Sequence, residues 1–166
     1  IIPGAQMGAM LTKTMTYAET CDPDEVLMAQ KANRDNHFYA DVQIFGEYPK
    51  HVLHYFEENG FKIDRTEEDL QLLKDYTVDF LSFSYYMSMV VSKNAAQREK
   101  VGGNLMTGVK NPYLNTSEWG WQVDPVGLRI SLIDLYDTYR IPLFIVENGI
   151  GSTDVLTEDG TVEDDY

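Results

Sequence analysis

Apolar residues along this chain follow two rhythms, one typical of strands and one of helices. The stretch Gly8 to Tyr17 (GAMLTKTMTY) mixes apolar residues with threonine and predicts a strand. Val78 to Tyr86 predicts a second strand. Leu143 to Val146 is fully apolar and partly β-branched, which predicts a third strand, buried on both faces. Elsewhere the spacing turns helical. Val26, Ala29 and Ala32 or Asn33, and later Phe38, Val42 and Phe45, each follow a spacing of three or four and predict one helix over 24–45. Asp22 or Asp24 would cap it and Gly46 would close it. Pro49 starts a shorter helix through Phe56, ended by Asn59-Gly60. Thr66-Glu67-Glu68-Asp69 resembles a capping sequence before a helix to Tyr76. Pro125 begins a helix to Tyr139 with Leu128, Leu132 and Leu135 on one face. The polar stretch 92–117, holding Gly102-Gly103 and Asn111-Pro112, predicts a long loop of the functional or disordered kind. Strand, helix, strand, long loop, helix, strand is the alternation of an α/β fold with parallel strands.

One position carries more than packing. The third strand ends at Glu147, followed by the turn signal Asn148-Gly149. Glu147 therefore sits at the carboxyl end of a strand, the end that carries the chemistry in barrels of parallel strands. A carboxylate there is either a catalytic group or a buried structural acid.

Four segments bear on that choice. Phe144-Ile145-Val146-Glu147-Asn148-Gly149 resembles the nucleophile motif of the glycoside hydrolase family 1 β-glycosidases. The stretch from Asp79 to Ser88 (DFLSFSYYMS) resembles the preceding barrel strand. The stretch from Ser117 to Arg129 (SEWGWQVDPVGLR) resembles the loop and helix ahead of the nucleophile strand, and Cys21 to Gln30 resembles the start of an earlier helix. The wording of these segments is most similar to the bacterial 6-phospho-β-glucosidase branch. The resemblance implies a (β/α)8 TIM barrel, of which this chain would hold central-to-late strands and helices. It also implies retaining hydrolysis of 6-phospho-β-D-glucosides, such as phosphorylated cellobiose or aryl glucosides. Other outcomes kept open are a β-glucosidase or 6-phospho-β-galactosidase of the same family, or a non-catalytic barrel that binds carbohydrate.

By the resemblance, Glu147 is the nucleophile and Tyr86 donates a hydrogen bond to it. Such a bond orients a carboxylate and favours its charged form. Tyr85 and Tyr86 are adjacent, and strand alternation lets only one face the pocket; the motif selects Tyr86. Substrate contacts are assigned to Tyr85, Trp119, Ser84 and Asn148. For Trp119, a tryptophan suited to stack on the C–H face of a sugar, pocket lining stands beside plain packing; Trp121 reads as packing. Ser84 stands where many family members have asparagine. Retaining enzymes need a second carboxylic group about 5–5.5 Å from the first. In the family it is a glutamate after an asparagine, and no such pair precedes the strand at Gly8. Glu19 and Glu118 read as surface residues, as do Lys93, Lys110 and Arg129. The phosphate donors of this branch, a serine, a lysine and a tyrosine, lie in a loop beyond the nucleophile strand.

Composition narrows the picture further. At 166 residues the chain is shorter than a whole (β/α)8 barrel, which needs about 250. The expectation is that residues 1–166 are part of one family 1 barrel domain, with the remainder of the barrel in the same parent chain. By itself such a piece would hold one of two catalytic carboxylates and expose strand edges, so inactivity is expected. The formal charge of −14 argues against nucleic-acid binding. Six acids and no base lie between Gly151 and Tyr166, which reads as a solvated loop. Cys21 is the single cysteine and excludes an internal disulfide. No apolar run is long enough to span a membrane. No metal and no organic cofactor is expected. The expected partner is a phosphorylated β-glucoside in the cytoplasm, and homo-oligomerisation is left open.

Overall fold

The computed structural model describes residues 2–103, 106–163 and 166. Strands β1 (Gly8–Thr12) and β2 (Met15–Ala18) come first. Four helices follow: α1 (Pro23–Asn36), α2 (Phe38–Phe45), α3 (Lys50–Glu58) and α4 (Glu67–Asp75). Then come β3 (Phe80–Tyr85), β4 (Ser88–Val91), β5 (Lys100–Gly102), β6 (Thr107–Val109), α5 (Pro125–Tyr139) and β7 (Leu143–Asn148). The chain divides into two compact units. One comprises Ile1–Lys13, Arg34–Ser84 and Leu132–Val146; the other comprises Thr14–Asn33, Tyr85–Ser131 and Glu147–Tyr166.

The first unit is built on a three-stranded sheet in the order β1-β3-β7, with β1 and β3 parallel. Ala9 faces Leu81 and Leu11 faces Phe83, and all four side chains are buried. Helices separate β1 from β3 in sequence, as a parallel pair requires. The predicted helix over 24–45 is two helices, with a break at His37. His37 is buried there, and its ring is tied to Lys13 and Asp134. Gly46 closes α2 as predicted, with φ 68° and its N–H on the Val42 carbonyl. Thr66 and Asp69 form the predicted capping box at the start of α4.

A charged cluster lies inside this apolar unit. Lys13 is 1 % exposed, yet it carries an amine. Its Nζ lies 2.8 Å from Asp134 Oδ2 and 2.6 Å from His37 Nε2, and His37 Nε2 lies 3.2 Å from the same carboxylate oxygen. Tyr139 donates to Asp41 at 2.7 Å beside them. Burial pushes the Lys13 ammonium down, while Asp134 pulls it back up. His37 and Lys13 together hold the Asp134 carboxyl well below the usual carboxylate range.

Strand β7 differs from expectation. Its apolar run is exposed rather than buried on both faces, Phe144 at 59 %. It lies at the edge of its sheet, so among the described residues only β3 stands beside it. The second unit holds the parallel pair β2-β4 and the antiparallel pair β5-β6. The hairpin β5-β6 lies inside the stretch predicted as one long loop; residues 104 and 105 of that stretch fall outside the described ones. Helix α1 turns Glu25 inward rather than Val26. The Glu25 carboxylate is bonded by the Thr20 N–H and hydroxyl and by the Lys93 N–H, which satisfies it in place of water. The acidic tail is mostly exposed, with Asp164 and Asp165 outside the described residues.

The Lys13 cluster makes a prediction about stability. Replacing Asp134 by Asn leaves a buried ammonium without its counter-charge, which in a fully buried pair costs about 3–5 kcal/mol. The Asp134 side chain is 41 % exposed, so solvent screening reduces the expected loss to about 1–3 kcal/mol, read by urea unfolding at neutral pH. Because the folded-state carboxyl titrates low, the stabilisation is present above the ordinary aspartate range. It fades as pH falls below about 4. A loss that is constant from pH 7 to pH 3 would contradict this account.

Candidate active site

Of the residues singled out by the sequence, the second unit holds Tyr85, Tyr86, Trp119, Glu147 and Asn148. Tyr86, the first residue after β3, donates its phenolic hydrogen to Glu147 Oε2 at 2.7 Å. Glu147 is exposed and Tyr86 is partly so. Hydrogen bonding to Glu147 comes first, then burial and the carboxylate's charge, in pushing the Tyr86 phenol above its usual range. Trp121 meets the Tyr86 ring edge to face, with centroids 5.7 Å apart and planes at 82°. The carboxylate at the strand end is thus joined to a tyrosine that is itself held by a tryptophan.

Tyr85 goes elsewhere. It is 3 % exposed, and its hydroxyl donates to the Asp124 carbonyl at 2.9 Å. The register explains how neighbours on one strand reach such different partners. Thr12 faces Ser84 but Met15 faces Ser88, so the stretch 85–87 carries one residue more than the stretch 13–14. An extra residue of the β-bulge kind re-aims the side chains around it. Ser84 is buried in the first unit.

Trp119 is 58 % exposed, and its indole N–H donates to Thr153 at 3.2 Å. Its ring lies against Gly151, where an added Cβ would stand 2.6 Å from it and 2.9 Å from the Trp121 ring. Asn148 is exposed beside Glu147. Glu118 is exposed as expected and accepts from the Tyr166 hydroxyl at 3.0 Å. Glu19 is not the free surface acid expected: it is partly buried and paired with Arg98 and Ser92. Lys93 bridges Asp22 and Asp24, and Lys110 pairs with Glu99.

Sequence reasoning passed over Asp124. It is buried, and its carboxylate accepts from Tyr17, Ser88 and the Gly127 N–H. The available signal was an aspartate directly before a proline that opens a helix, the N-cap pattern. That signal points to a cap and says nothing of Tyr17 or Ser88, which are distant in sequence. Among the described residues no group of three or more His, Cys, Asp or Glu is placed to hold a metal ion, and no helix is long and apolar enough to cross a membrane.

Residues 1–166 match the family model described as Glycosyl hydrolase family 1. The chain belongs to glycosyl hydrolase family 1. Curated relatives of this family member include an aryl-phospho-β-D-glucosidase of Bacillus subtilis, 52 % identical over 166 residues, which cover all of this chain and 35 % of that protein. A 6-phospho-β-glucosidase of Dickeya chrysanthemi is 50 % identical, with all of this chain and 36 % of that protein covered. A phospho-cellobiase of Klebsiella oxytoca is 46 % identical with the same coverage. The chain therefore spans about a third of the length of these curated relatives. Among solved structures, a family 1 β-glucosidase from Thermotoga maritima superposes with a TM-score of 0.74 at 21 % identity, over 97 % of this chain and 35 % of that one. A β-glucosidase from Exiguobacterium marinum gives 0.73 at 24 % identity, over 96 % and 35 %. The α/β fold is thus part of a family 1 (β/α)8 barrel, as expected.

The Tyr86–Glu147 bond predicts a spectroscopic change in this family member. Glu147→Gln removes the anion that opposes ionisation of the Tyr86 phenol. Ultraviolet difference titration should then show one tyrosine ionising at lower pH in the variant, nearer the ordinary value of about 10. Superimposable titration curves would mean that the bond is absent in solution.

Proposed function

We propose that the protein carrying this chain hydrolyses 6-phospho-β-D-glucosides with retention of configuration, and that Glu147 is its nucleophile. The observation that carries this reading is the 2.7 Å bond from Tyr86 to a carboxylate at the end of β7. The phosphoglucosidase names of its relatives support the substrate class. In this reading Glu147 attacks the anomeric carbon while a second carboxylic group protonates the departing oxygen. The resulting glycosyl ester on Glu147 is cleaved by water, which the second group, now a base, activates. That second group is assigned to a segment outside these 166 residues, since they contain no Asn-Glu pair. Tyr86 keeps the carboxylate aimed between the two steps.

Trp119 is assigned the C–H face of the substrate, because its ring is exposed and braced at Gly151. Asn148, exposed beside the nucleophile, is assigned a polar contact. Tyr85 and Ser84 are both almost fully buried and are the weaker candidates for direct contact. The 166 residues are read as part of a single barrel domain. No metal or organic cofactor enters this chemistry. Sugars phosphorylated on uptake into bacteria would meet the enzyme in the cytoplasm of a bacterial cell.

The test uses the full-length protein with p-nitrophenyl β-D-glucoside, with and without a 6-phosphate. Turnover of the phosphorylated compound alone is expected, with a loss of at least about 1,000-fold in Glu147→Gln. Equal or better turnover of the unphosphorylated glucoside would move the protein to the β-glucosidases. No turnover of either by folded protein would favour a different glycoside or a non-catalytic barrel.

A further inference from the structure

We propose that Asp124 is a positioning residue for the Tyr86–Glu147 pair, gripping the chain on both sides of Tyr86. The inference rests on the reading of Glu147 as nucleophile, and goes beyond it by naming what fixes the nucleophile's partner. Asp124 is 5 % exposed and opens α5. Its Oδ1 accepts from the Gly127 N–H at 2.8 Å, the contact of a helix N-cap. Its Oδ2 accepts from the Ser88 hydroxyl at 2.6 Å and the Tyr17 hydroxyl at 3.0 Å. Its carbonyl accepts from the Tyr85 hydroxyl at 2.9 Å.

Tyr85 and Ser88 are the residues that flank Tyr86-Met87. The stretch between them carries the extra residue of the bulge, where ladder pairing cannot fix the backbone. Two bonds to one buried residue supply the constraint that the ladder leaves out. The neighbours of Asp124 reinforce the grip: Gln122 donates to the Ser88 carbonyl at 3.5 Å, and Trp121 lies against the Tyr86 ring. Space around the hub is used up. A Cβ on Gly127 would stand 2.2 Å from the Tyr85 hydroxyl and 2.4 Å from Asp124 Oδ2. The Tyr17 and Tyr85 phenols are both pushed well above their usual range, by burial first and then by Asp124, so both act as donors across the working pH range.

Asp124→Asn separates the two tasks of this side chain. The amide oxygen can still cap Gly127, so the helix start and the shape are kept. The amide nitrogen then meets two hydroxyls that now donate to Oδ2, and the grip on Ser88 weakens. In the full-length protein, with p-nitrophenyl β-D-glucoside 6-phosphate, Asp124→Asn should lower kcat about 10-fold to 100-fold with KM changed less than about 3-fold. In a Tyr86→Phe background the same change should lower kcat less than about 3-fold, because the group it positions is gone. Equal losses in both backgrounds, or an unchanged kcat, would overturn the proposal; a merely structural role predicts equal losses. A crystal structure of the variant gives a second reading that needs no activity. Separation of the Tyr86 hydroxyl from Glu147 beyond hydrogen-bonding distance is expected, and retention of the native bond would overturn it. If the wild-type protein turns over no phosphoglucoside, the functional reading fails, and this structure still decides the positioning role.

Discussion

A polar group taken out of water must find partners inside the protein, and this constraint organises the ends of the strands here. Buried amides and carboxylates left unpaired would each cost about 1–3 kcal/mol or more. Where strands give way to loops, ladder pairing stops and other donors must take over. Glu25, Asp124 and the Lys13 cluster are three answers to the same demand. Each draws partners from segments far apart in sequence, so each also ties those segments together.

The two compact units meet the demand differently. In the first, the buried Lys13 is answered by the Asp134 carboxylate, so charge is compensated by charge. In the second, Asp124 and Glu25 are answered by hydroxyls and backbone N–H groups, and fixed dipoles do the work. Dipoles held rigidly in this way fix the orientation of a carboxylate without bringing in a counter-charge. The exposed end of β7 fits that division: its apolar residues belong to one unit and Glu147 to the other.

The elements with strong local signals were legible in the sequence. Helix α5 begins at Pro125 and ends at Tyr139 as its pattern implied, and Gly46 and the Thr66–Asp69 box lie where their chemistry predicts. These features depend on contacts within a few residues. The errors have a common cause. The break at His37, the inward turn of Glu25 and the partial burial of Glu19 all follow from partners on other elements. The hairpin β5-β6 was hidden because each strand has three residues, too few to show alternation.

For the site, the motif around Glu147 and the choice of Tyr86 over Tyr85 were available from the sequence alone. A run of apolar residues ending in Glu-Asn-Gly marks a strand end by local chemistry. The tertiary structure decided what that carboxylate touches. Glu147 and Tyr86 are 61 residues apart, and Asp124 reaches Ser88 across 36. Such pairings depend on register, and one extra residue in the stretch 85–87 against 13–14 is enough to change which side chain points where. Period and composition do not encode a one-residue shift of that kind, because it is set only when two strands align side by side.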